Sequence, residues 1–154
     1  MAISSPIESR HTGKGDPYGI SKYGKQLNKR QKRILEKLQN VKDEYVFDRN
    51  DVSMVDLAAL TARENVEFAM FTRGPARLVM RGDDKHVYVN TINAYLLNKK
   101  GWRWSGHTHV GDPLTNTTIK IVSHGDISVL RCFTKQKLSA LYFINGDYGI
   151  FGKE

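Results

Sequence analysis

The sequence predicts an α+β fold: a mixed β-sheet with flanking helices, preceded by a basic arm and a basic helix. Three observations carry this. Apolar residues recur at helical spacing in several separate stretches. Short β-branched and aromatic runs stand in clusters between them. Near the end, two such runs flank Asn145-Gly146-Asp147, the form of a closing hairpin.

Residues 1–25 are rich in Gly, Ser, Lys and Pro, as in Ser9-Arg10-His11-Thr12-Gly13-Lys14-Gly15-Asp16-Pro17. Such a composition buries little area, so it reads as a flexible basic arm or linker. Residues 26–154 read as a single domain, long enough for one core. Leu27, Ile34, Leu35 and Leu38 predict a helix over about 26–39, with Lys and Arg on its other face. Tyr45-Val46-Phe47 is a short strand. Ser53-Met54-Val55-Asp56 has the form of a capping box and opens a helix through Leu57, Leu60 and Thr61.

VEFAMFT (66–72) and RLVMR (77–81) read as strands joined by the turn Arg73-Gly74-Pro75-Ala76. Gly82-Asp83-Asp84 is a second turn and 86–89 a third strand. Asn90 caps a helix over about 91–99 that stops at Gly101. Residues 102–110 read as a strand, 111–116 as a loop and 118–122 as a strand. A helix over about 126–135 precedes the hairpin of 139–144 and 148–151.

The net charge of +8 is uneven. Residues 1–40 hold nine basic and three acidic residues, and the rest of the chain is close to neutral. Lys29, Arg30, Lys32 and Arg33 concentrate this charge and offer a contact for nucleic acid; the plain alternative is a solvated helix face. No apolar run approaches the length of a membrane span. Met1-Ala2-Ile3-Ser4-Ser5-Pro6 lacks the basic and apolar regions of a signal peptide, so a cytoplasmic or virion-associated protein is expected. Cys132 is the only cysteine, which excludes an intrachain disulfide and a thiolate zinc knuckle.

His107-Thr108-His109 carries the most chemistry. Alternate residues of a strand share a face, so both imidazoles point the same way and can share a metal ion. Zinc suits imidazole and carboxylate ligands. The plain alternative is two solvent-facing histidines. In Ser123-His124-Gly125-Asp126, Asp126 offers a third ligand and Ser123 a hydroxyl for an oxyanion. The same four residues also fit a capping box. Glu67, at the start of an apolar strand, suits a general base near a metal-activated water, or else a strand-end surface carboxylate.

Glu67, then H-x-H, then S-x-x-D resembles the JAB/MPN metalloproteases with the JAMM motif. The helix over 53–63 leading into Glu67 is similar to that family's order of elements. The resemblance implies a JAB/MPN-like fold, with His107, His109 and Asp126 as zinc ligands. It implies Glu67 as general acid/base and Ser123 as the residue assisting the oxyanion, in hydrolysis of amide or isopeptide bonds, ubiquitin-like linkages included. Val110 stands where the family pattern has Pro. Thirteen residues, 110–122, separate His109 from Ser123, more than the family's usual spacer. His124 is an imidazole the pattern does not require.

EFAMFTRG, RLVMRG and GWRWSGHTH also resemble a C-terminal domain of some phage minor head proteins and toxin-like proteins, with SPIESRHTGKG and DLAALTA extending the likeness. This implies a module of a longer polypeptide.

Two function classes follow. One is a zinc hydrolase. The other is a metal-independent nuclease of toxin type, with His107 and His109 as acid and base on RNA. A binding domain without turnover is the third reading. Trp102 and Trp104 read as packing residues, and Arg73, Arg77 and Arg81 as a solvated face or an anion contact. Cys132 reads as a small buried hydrophobe. No phosphate loop, nucleophile elbow or H-E-x-x-H is present.

Overall fold

A computed structural model of the chain describes residues 26–84, 89–110, 124–144 and 146–153. The arm at 1–25, most of the strand expected at 86–89, and the segment expected as loop and strand at 111–122 lie outside these residues.

Local capping sets the helix starts. Helix α1 (Lys29–Lys37) begins at Asn28. The Asn28 Oδ1 accepts from Gln31 N–H at 2.8 Å, and Gln31 Oε1 accepts from Asn28 N–H at 3.1 Å. Strand β1 (Glu44–Asp48) follows. Helix α2 (Met54–Glu64) opens on the expected box, with Ser53 N–H donating to Asp56 Oδ2 at 2.9 Å. It ends at Asn65, whose φ of 58° is the left-handed conformation that stops a helix. Strands β2 (Phe68–Arg73) and β3 (Ala76–Arg81) form the expected hairpin. Helix α3 (Thr91–Lys99) is capped by Asn90 and stops before Gly101, at φ 89°.

Strand β4 (Arg103–Thr108), helix α4 (His124–Arg131) and the hairpin of β5 (Leu138–Tyr142) and β6 (Tyr148–Gly152) complete the described elements. The sheet order is β1-β3-β2-β4-β5-β6. Among the described strands only β4 and β5 pair parallel, and α4 lies in the crossover that this pairing requires.

Alternation divides the sheet into two apolar faces. Phe47, Phe68, Met70 and Val79 pack with Ile34, Leu38, Leu57 and Leu60 of the α1–α2 side. Ala69, Phe71, Leu78, Trp104 and Leu141 pack with Ala94, Val129, Leu130 and Phe133 of the α3–α4 side. The fold is therefore α+β, a mixed open sheet between two helix pairs. No helix among the described residues is long and apolar enough to cross a membrane.

Two of the expected packing roles change. Arg81 is buried, pairing Glu64 at 3.3 Å and donating to Leu38 O at 2.7 Å, so it is not part of a solvated face. Cys132 lies just past α4 and is half-buried, with its thiol near Thr91 O and Ser128 O.

Candidate metal centre

Three elements converge at one end of the sheet. β4 brings His107, the residue just past its end is His109, the lead into β2 brings Glu67, and the first turn of α4 brings Asp126. Glu67 is held by its backbone: its N–H donates to Asp83 O at 2.8 Å and its C=O accepts from Gly82 N–H at 2.7 Å.

The face that β4 presents here depends on a bulge. Met70 pairs with Gly106 and Phe71 with Trp104, so Ser105 is an extra residue. In a regular strand Trp104 and His107, three apart, would lie on opposite faces. The bulge puts both on the α4 side, where their rings stack with centroids 5.0 Å apart and planes at 21°. Phe151 meets the His107 ring edge-on at 5.9 Å. Gly106 lets β4 approach β5: a Cβ there would sit 3.0 Å from Ala140 O.

Thr108 points to the opposite face. Its hydroxyl oxygen accepts from Phe68 N–H at 2.9 Å and meets the Thr61 hydroxyl of α2 at 2.5 Å. This anchor turns His107 and His109 toward the α4 side together.

His107, His109 and Asp126 form a candidate metal-binding group, each offering a ligand atom within 4.8 Å of the others. His107 Nε2 lies 3.3 Å from Asp126 Oδ2, within charge attraction but not aligned as a hydrogen bond. Among the described residues neither ring nitrogen of His107 makes an aligned hydrogen bond, although the residue is only 2% exposed. A buried polar group left this way costs roughly 1–3 kcal/mol. A cation on one nitrogen removes part of that cost, so the donor set fits a metal.

Glu67 Oε2 lies 3.9 Å from His109 Nε2. Burial pushes the Glu67 carboxyl from 4.5 up to about 8; the charge on His107 opposes the rise, while Asp126, Asp83 and Asp84 add to it. Burial, then the charge on His107, pushes His109 from 6.5 down to about 4, against the pull of Asp126. For His107, burial acts downward, but the charge of Asp126, its close side-chain contact and the charge of Glu67 together outweigh it and raise the imidazole above its usual range. The ring of His109 thus stays a neutral donor in mildly acidic water.

Four of the residues singled out for chemistry therefore meet: Glu67, His107, His109 and Asp126. Ser123 and the His124 side chain lie outside the described residues. Lys29, Arg30, Lys32 and Arg33 do not join them; they lie on α1, across the sheet from the histidines. Thr108, Trp104 and the bulge at Ser105 were not legible as parts of the site. The alternation of His107-Thr108-His109 was the one signal that Thr108 faces the other way.

No protein-family model, curated protein or solved structure matches the chain.

Proposed function

We propose that the chain is a zinc-dependent hydrolase of amide or isopeptide bonds. The observation that carries this is the buried imidazole of His107, which makes no aligned hydrogen bond among the described residues, gathered with His109 and Asp126. Two imidazoles and a carboxylate, with no thiolate, suit zinc, and His107, His109 and Asp126 would hold it. When bound, the ion supplies Lewis acidity and lowers the pKa of a coordinated water toward about 7.

The chain's own groups supply the proton handling. Glu67, with Oε2 3.9 Å from His109, takes a proton from water on Oε2 and passes it to the leaving nitrogen. The water oxygen bonds the carbonyl carbon, the C–N bond breaks, and the amine leaves protonated. A carboxyl whose affinity for protons is raised by burial is suited to both transfers. The assignment of Ser123 to the oxyanion rests on the JAB/MPN resemblance alone. The wider setting, a module of a phage minor head or toxin-like protein, rests on the second resemblance.

The metal-independent nuclease reading needs an imidazole in contact with ribose. At 2% exposure His107 does not offer one; of the pair only the His109 side chain, 18% exposed, is partly open.

Zinc content by mass spectrometry, on wild type and His107→Ala/His109→Ala, tests the site. Zinc bound by wild type and lost in the double variant is expected. Turnover of an isopeptide and peptide panel, abolished by Glu67→Gln with zinc retained, tests the reaction. Zinc bound without turnover leaves a binding domain, and no zinc after supplementation overturns the proposal.

A further inference from the structure

Helix α1 carries its charge on one side. Gln31, Ile34 and Leu38 are buried against α2 and the sheet, while Lys29, Lys32, Arg33 and Lys37 face solvent at helical spacing. Among the described residues none of these four cations forms an ion pair. Arg30 differs: it is committed to Asp56 at 2.8 Å and to Asn50 O at 2.7 Å, holding α1 on α2. The free cations form a track about 12 Å long at 1.5 Å per residue.

A groove of about 690 Å³ runs between this helix and β1, the edge strand of the sheet. Arg33 and Lys37 form one wall, and Tyr45 and Val46 line the other. Tyr45 is 41% exposed, a large value for an aromatic ring on a sheet. Its ring leans on Phe47 at 4.7 Å and lies 5.2 Å beneath the Lys37 ammonium. Glu36 lies among the cations, and Asp48 and Asp51 line the groove where β1 turns toward α2. That end repels phosphate, so the anion track follows the helix.

We propose that α1 and Tyr45 form a binding surface for single-stranded nucleic acid. Lys29, Lys32 and Arg33 take the phosphates, and a base displaces the Lys37 ammonium from the exposed Tyr45 ring to stack on it. An acidic polypeptide satisfies the cations but gives the exposed ring nothing to stack on. A rigid duplex buries its bases away from Tyr45. The surface lies across the sheet from the histidines, so binding is independent of any metal.

The test is fluorescence anisotropy of the full chain with labelled oligothymidylate and oligouridylate, with polyglutamate as competitor. Binding is expected to weaken with salt, with a log–log slope of roughly −2 to −3 for three or four phosphate contacts. Lys32→Glu/Arg33→Glu is expected to lower affinity at least tenfold with an unchanged melting temperature. Tyr45→Ala is expected to lower it about fivefold or more while keeping the salt slope, because stacking carries no charge. Chelator is expected to change nothing. Absence of binding at low salt overturns the proposal. So does binding that survives Lys32→Glu/Arg33→Glu, which would place it on the basic residues of 1–25. Displacement by polyglutamate at equal charge, together with indifference to Tyr45→Ala, would make the surface a site for acidic polypeptides and overturn the nucleic-acid reading.

Discussion

The hydroxyls of Thr61 and Thr108 meet at 2.5 Å in the buried seam between α2 and β4. Thr108 is the middle residue of the histidine pair, so this contact fixes which way both imidazoles point. Thr108→Val keeps the shape but leaves Phe68 N–H and the Thr61 hydroxyl without their partner. A loss of about 1–3 kcal/mol in urea unfolding is expected, with weaker zinc binding in a competition titration. Thr108→Ser is expected to restore both. Wild-type zinc affinity in the Val variant would show that Thr108 does not position the histidines.

Gly106 of β4 faces Ala140 of β5 and Met54 of α2. An added Cβ would meet Ala140 O at 3.0 Å and Met54 Cε at 3.3 Å. The methionine end can move, but the backbone carbonyl cannot without parting the strands. Gly106→Ala is expected to destabilise the chain by about 1–3 kcal/mol, read as a lowered urea midpoint. An unchanged midpoint would mean that the β4–β5 spacing is loose.

Glu67 makes the metal-free chain sensitive to alkali. Its folded pKa of about 8 lies above the ordinary 4.5, so its contribution to stability is complete below 4.5 and is lost as pH rises through about 8. His107, also raised, acts in the same direction. His109 has the opposite sign: its contribution is present above 6.5 and lost as pH falls through about 4. Above 6.5 the losses from Glu67 and His107 are therefore unopposed by His109. In chelator, Glu67→Gln is expected to remove about 1.4 kcal/mol per pH unit from the decline near pH 6.5, falling to about half that at pH 8. Urea midpoints that fall equally in both proteins would show that Glu67 does not bind its proton as the buried site implies.

Metal binding should displace the proton that His107 holds above its ordinary range. Apparent zinc affinity is thus expected to go on rising with pH beyond 6.5. An affinity flat across that range would place the ion elsewhere.

Trp104 reports on the same event because its ring stacks on His107. Adding Co²⁺ is expected to give a saturable quench of tryptophan emission, lost in Trp104→Phe and kept in Trp102→Phe. Quenching that follows Trp102 instead would count against His107 as a ligand. Trp102 packs in the same apolar cluster but carries the Arg73 guanidinium, 4.4 Å from its ring centroid, rather than the His107 ring.

Much of the fold was legible because it is set locally. Ser53 and Asp56 lie one helical turn apart, and the same holds for Asn90 and Asn93, so composition alone marks where α2 and α3 begin. The helix expected over 26–39 starts three residues later, since Asn28 and Gln31 make their own box. The alternation of VEFAMFT places Ala69 and Phe71 on one face and Phe68 and Met70 on the other, as found. The charge of α1 was legible too, but not that Arg30 is spent on Asp56, a contact 26 residues away in sequence.

What the sequence determined by itself is which groups exist at which local spacing: the capped helices, the hairpins, the His107–His109 pair, the uneven charge. These depend on contacts a few residues apart, whose cost in chain entropy is small. Only the tertiary structure decided that Glu67, His107, His109 and Asp126 meet, because they come from three elements joined by a sheet and a crossover. It also decided that both nitrogens of His107 are shut away from water. The bulge at Ser105 turns Trp104 onto the same face as His107, and Thr108 locks that face against α2. Register and burial are properties of paired strands and packed layers, and no single segment of the chain contains them.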